Sequence, residues 1–158
     1  MLWERSLDSM AKFLLTAIIL CVGTCAVMSQ DSTPASGADI KGFWKDAATG
    51  LTWAAKDNGS SVSPNQANDY CSGLRSGGYS DWRLPTIDEL ENLYDSKLSK
   101  QYKVKGPIEL GDACVLSGTT NSSGEVWSFC FSYGGRSLGG GSGCGVSGRA
   151  LCTRGPAK

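Results

Sequence analysis

At 158 residues, with 41% apolar and 19% charged side chains, the chain is long and apolar enough for one domain with its own core. Its formal net charge is zero, which leaves no global field to gather nucleic acid or an acidic membrane. It has no histidine, and that excludes imidazole as general base, metal ligand or activator of a serine or cysteine nucleophile.

In chain order, Lys12 precedes the apolar run "FLLTAIILCVGTCAVM", and "VMS" before Gln30 offers small or modest residues for signal peptidase. The run is shorter than the roughly 20 residues of a spanning helix. Residues 1–29 are therefore predicted to be a cleaved signal peptide, with translation starting at Met1 or Met10, and residues 30–41 a flexible lead-in. The expected destination is the periplasm, the cell surface or the medium, with no membrane span left after cleavage. Five cysteines then remain: Cys71, Cys114, Cys130, Cys144 and Cys152. No Cys-x-x-Cys pair is present, so disulfides are expected rather than a metal site, and an odd number leaves one thiol over.

The domain proper is expected over residues 42–155. "GFWKDAATGLTWAA" reads as two short strands around a glycine-ended turn, with Trp44 and Trp53 in the core. In "SPNQANDYCSGLRSGG", Ser63 can cap a helix, Pro64 suits its first position and Gln66 can complete a capping box. Ala67, Tyr70, Cys71 and Leu74 would form its apolar face, with Gly77 and Gly78 ending it. A second capping box, Thr86 with Glu89, opens another helix inside "DWRLPTIDELENLYD", whose Ile87, Leu90, Leu93 and Tyr94 should face the core. Trp82 reads as a buried anchor and Arg83 as the partner of a nearby acid, which makes this stretch a structural corner. "SKLSKQYKVKGPIELGD" has little periodicity and is expected to be a long excursion. "CVLSGTTNSSGEVWSFCF" predicts two strands around "NSSG", "RALCTR" a last strand, and the glycine-rich "GGRSLGGGSGCGVSG" a loop without regular structure. That loop lacks the spacing of a phosphate-binding loop.

The stretches "DAATGLTWA", "ANDYCSGLRSGGYSDWRLPTIDELENLYD", "VWSFCF" and "RALCTR" resemble the bacterial domain family that includes the C-terminal domain of the Legionella collagen-like adhesin. The resemblance runs from about Phe43 to Arg154. It implies an α+β, C-type-lectin-like fold: two helices packed on a small twisted antiparallel sheet with long loops. It also implies bridges Cys71–Cys152 and Cys130–Cys144, leaving Cys114 free, with a cross-strand Cys114–Cys130 pair as the rival. The Glu-Pro-Asn and Trp-Asn-Asp motifs of calcium-dependent sugar-binding lectins do not occur, and neither metal nor cofactor is expected.

Two classes of function follow. The first is a non-catalytic module that binds a sulfated or carboxylated glycan, another anionic surface polymer, or a protein partner of an adhesin. Lys97, Lys100, Lys103 and Lys105, interleaved with Tyr102, lie in the loop where this fold places ligands, and Arg136 and Arg149 are candidates to join them. The bland alternative is a solvated loop whose lysines offset the acids of the preceding helix. The second class, an oxidoreductase related to formylglycine-generating enzymes, needs a reactive thiol or metal site. Only Cys114 looks spare, and no acid, base or metal cluster stands near it in sequence. No catalytic residue is expected, and neither the ligand nor the oligomeric state is specified.

Overall fold

The computed structural model describes residues 42–139, 144 and 147–155, so the signal peptide and the lead-in lie outside the described residues. Among the described residues, two helices and six strands form an α+β arrangement. Strands β1 (Phe43–Lys45) and β2 (Thr52–Ala54) make the expected hairpin, with Trp44 opposite Trp53 and Gly50 at φ +76° in the turn. Asp46 tightens that turn by accepting from the Ala48 amide and the Thr49 hydroxyl, an Asx arrangement local enough to be legible in sequence.

Helix α1 (Pro64–Gly73) begins as read, with the Ser63–Gln66 capping box formed and Pro64 in the first turn. It buries Ala67 and Cys71 completely, while Tyr70 is exposed. It stops at Gly73, four residues before Gly77, which corrects the predicted end. Leu74 turns extended and its amide bonds back to the Cys71 carbonyl, and the Arg75 guanidinium covers the freed carbonyls of Ser72 and Leu74. Gly77 and Gly78 serve instead in the turn that pairs Ser76 with Tyr79, both at positive φ.

The corner "DWRLP" then acts as an extra strand position. Arg83 and Thr153 exchange backbone hydrogen bonds of 2.8 and 2.9 Å, which docks the corner on β6 (Thr153–Arg154). Helix α2 (Ile87–Leu93) follows, capped by Thr86 and Glu89. The acid expected for Arg83 is Glu89: two 2.8 Å hydrogen bonds join guanidinium to carboxylate, and Glu89 is only 5% exposed. Glu89 also accepts from the Thr86 amide, so one carboxylate serves both the helix cap and the corner.

Burial pushes the Glu89 carboxyl up, but the hydrogen bonds from Arg83 and Thr86 and the Arg83 charge outweigh it and hold the group below the usual glutamate range. A carboxyl depressed in this way contributes stability that is fully present above the unfolded-state pKa and is lost as pH falls through the folded one. Glu89→Gln is therefore expected to cost about 1.5–3 kcal/mol at neutral pH, as for a hydrogen bond to a charged group. In urea unfolding followed from neutrality into acid, the gap between the two proteins should close. A constant gap would mean that the charge is not the stabilising element.

Where one sheet was expected there are two, each antiparallel and three-stranded, ordered β1-β2-β6 and β3-β4-β5. Strands β3 (Cys114–Thr120) and β4 (Val126–Cys130) flank the "NSSG" turn as read. Strand β5 (Gly135–Leu138) overturns the expectation that the whole glycine-rich stretch is irregular. It pairs with β4 from Trp127–Leu138 to Cys130–Gly135. Gly134, at φ +79°, permits the tight return, and a Cβ there would stand 2.5 Å from the Tyr94 ring. The predicted strand "RALCTR" is divided between the sheets. Arg149 bridges to β3 through Leu116 and Cys114, Thr153 and Arg154 pair with β2, and Ala150, Leu151 and Cys152 between them are wholly buried.

The core gathers Trp53, Leu90, Leu93, Val104, Val115, Leu116, Phe129, Phe131 and Leu151. Phe129 meets Tyr94 and Phe131 edge-on at 5.8 and 5.0 Å, a geometry favoured by the ring quadrupoles. The Cys71–Cys152 bridge forms as expected and ties α1 to the segment before β6. The second bridge is Cys114–Cys144, and the free thiol is Cys130, which corrects the implied Cys130–Cys144 pair with Cys114 free. All three sulfurs lie within 4.8 Å of one another, so position in the chain could not choose among the pairings.

Candidate functional site

The loop that follows α2 carries the lysines. At the helix end Tyr94 turns extended, and Lys105 N–H bonds to the Leu93 carbonyl at 2.9 Å. The Asp95 amide donates to the Lys103 carbonyl at 3.0 Å, and the Lys103 amide to Phe131 at 2.9 Å, just beyond β4. Val104, opposite Tyr94, is buried and anchors the base of the loop. The excursion that showed no periodicity is thus closed by backbone bonds on both of its sides.

The lysine heads divide into two kinds. Lys100 donates to the carbonyls of Gly106 (2.7 Å) and Val104 (3.3 Å), and Lys105 donates to the Asn92 carbonyl (2.7 Å) in the last turn of α2. A cation on these final carbonyls suits the negative end of the helix. Lys97, exposed, and Lys103, half-buried, have ammonium groups without an ion pair or hydrogen bond among the described residues. Tyr102 is half-buried against the core and its hydroxyl takes a 3.2 Å bond from Gln101.

The two arginines stand apart from this pattern. Arg136, on β5, pairs with Asp88 and Glu91 along the outer face of α2. The hydrogen bonds it donates to Glu91 and then Asp88 raise its pKa, against the opposing effect of burial. So it is an arginine of β5, and not one of the loop lysines, that pairs with Asp88 and Glu91 of α2. Arg149 lies beside Gly111 and Asp57: a Cβ on Gly111 would be 3.6 Å from both its guanidinium carbon and an Asp57 oxygen. Its Nε and Nη1 are buried without an acceptor among the described residues, while the Asp57 oxygens accept from the Gly59 and Gly111 amides at 2.7 and 2.6 Å. Burial, and then the Asp57 charge, raise the pKa of Tyr70 nearby. No sequence signal links Asp57 to Arg149, which are brought together from opposite ends of the domain.

A pocket between the first turn of α1 and the "NSSG" turn is lined by Ser63, Pro64, Asn65, Leu116, Gly124, Glu125, Val126 and Gly139. Its one charged lining residue is Glu125, which disfavours an anionic ligand there. Among the described residues no helix is long and apolar enough to cross a membrane.

No curated protein and no solved structure is significantly similar to the chain. The family model of the Lcl C-terminal domain matches residues 42–149, well over half of the chain, and the chain belongs to that family.

Proposed function

We propose that the domain is a non-catalytic binding module of an exported or surface protein, C-type-lectin-like in arrangement, whose ligand is an anionic glycan bearing sulfate or carboxylate groups. Family membership supports a surface or adhesion role, in line with the adhesin resemblance of the motifs. The bridge from α1 to the segment just before the last strand, and β6 and β1 flanking β2, support the fold reading. A chain without histidine, whose free thiol Cys130 is only 3% exposed, supports binding over chemistry on a bound substrate.

One observation carries the ligand class. The loop is closed by its own backbone hydrogen bonds, yet among the described residues no carboxylate pairs with the ammonium groups of Lys97 and Lys103. Lys100 and Lys105 add charge while holding the loop in shape. A pre-ordered cationic loop loses less entropy on binding a polyanion than a mobile one.

The exported protein is expected to be retained on a heparin column at low salt and to elute as ionic strength rises, since exposed charges are screened over about 10 Å at 0.1 M. Chelators should not change retention. The double variant Lys97→Glu/Lys103→Glu should pass through with its melting temperature nearly unchanged, because neither head bonds the fold. Lys100→Glu/Lys105→Glu should lose retention and also lower the melting temperature, because it breaks the carbonyl pins. Flow-through of the unmutated protein at low salt would remove the glycan reading and leave a protein partner.

A further inference from the structure

Cys114 and Cys130 stand directly opposite each other on β3 and β4. The neighbouring pair carries the ladder bond, Phe131 N–H to the Ala113 carbonyl, while the Cys114 carbonyl accepts from Arg149 and the Cys130 carbonyl from Gly134. Cys114 and Cys130 are therefore a non-hydrogen-bonded pair, the type whose Cα atoms approach to about 4.5 Å with side chains closest. That separation lies within the roughly 4.4–6.8 Å span a disulfide accepts. Cys114 is bonded instead to Cys144, with a Cα separation of 5.4 Å. The Cys130 sulfur stays within 4.8 Å of both and is 3.0 Å from the Ser132 hydroxyl, which can donate to a thiolate.

We infer that Cys114, Cys130 and Cys144 form an intramolecular thiol–disulfide exchange site. The Cys130 thiol loses its proton to solvent, and its thiolate attacks the Cys114 sulfur. The Cys130–Cys114 bond forms as the Cys114–Cys144 bond breaks, and the electron pair leaves on Cys144, which takes up a proton. One thiol and one disulfide stand on each side of the step, so no oxidant or reductant is consumed. The exchange moves the free thiol from the core strand β4 to the glycine-rich stretch, which loses its covalent tie to β3. It also shortens the closed span from 30 residues to 16, the distance from 114 to 130. Loop length enters closure entropy only logarithmically, so this term separates the two isomers weakly. Burial of all three sulfurs keeps external thiols from competing, which makes the neighbouring disulfide the accessible partner for Cys130.

The test is to hold the full exported protein, without added thiol, across a range of mildly alkaline pH. Samples are quenched into acidic denaturant, blocked with N-ethylmaleimide and mapped without reduction. The native protein should show label at Cys130 and, growing with time, at Cys144 together with a Cys114–Cys130 peptide. The rate should be independent of protein concentration and should rise with pH, because the thiolate is the attacking species. Cys130→Ser should lose the Cys144 label entirely. Cys144→Ser, folded under oxidising conditions, should bridge Cys114 to Cys130. Label confined to Cys130 at every pH and time would overturn the site. So would Cys144 label persisting in Cys130→Ser, or two alkylated thiols in Cys144→Ser.

Discussion

Trp82→Ala is expected to destabilise the domain by about 3–5 kcal/mol, the cost of deleting a large buried aromatic. Trp82 is 3% exposed, its indole N–H donates to the Ser76 carbonyl at 3.3 Å, and its ring meets Tyr79 edge-on at 6.4 Å. Tyr79 in turn lies 3.7 Å beneath the Arg154 guanidinium, which Asp81 holds through bonds of 2.7 and 3.0 Å. The indole is thus the apolar floor of a corner whose polar ends are stapled to β6. Urea unfolding should show the full loss for alanine and a smaller one for Trp82→Phe, which keeps a ring and forfeits the indole bond. Heparin retention below the melting transition should be the same in all three proteins. A stable Trp82→Ala protein that no longer binds would make the corner a ligand site.

Replacing both Cys71 and Cys152 by alanine is expected to cost about 4.5 kcal/mol in the chain-entropy picture, because the bridge closes a span of 81 residues. The two sulfurs are wholly buried, so alanine also leaves a small void between α1 and the segment before β6. The unfolded variant is freed from a long loop and exposes more surface, so its urea m-value should rise while the midpoint falls. An unchanged midpoint would mean that packing of Ala67, Trp53 and Leu151 holds these elements together without the bridge.

Several features of this domain are settled within a few residues of sequence, and they were legible there. Ser63 with Gln66, and Thr86 with Glu89, place their capping groups three positions apart, so the helix starts follow from local hydrogen bonding alone. The β1–β2 turn and the "NSSG" turn are likewise local, and the burial of Trp53, Leu90 and Phe129 follows from their size and spacing. Family membership also belongs on this side, since it rests on the same motifs.

Other features exist only because distant segments meet. Strand β5, built from Gly, Arg, Ser and Leu, has little strand propensity of its own and forms because the edge of β4 supplies its bonding partners. Helix α1 stops early because Leu74 goes extended and Arg75 covers its last carbonyls, well before the glycines that seemed to end it. The four lysines look alike in sequence, yet Lys105 reaches the Asn92 carbonyl thirteen residues back, while the exposed Lys97 ammonium bonds to none of the described residues. Arg149 and Asp57 come to flank Gly111 from distant parts of the chain, and three cysteines far apart in sequence converge within one sulfur cluster. A long cationic side chain takes its partner, and a thiol its bridge, from whatever the fold brings within a few ångströms. Spacing along the chain does not encode that distance, so these pairings were decided by tertiary structure alone.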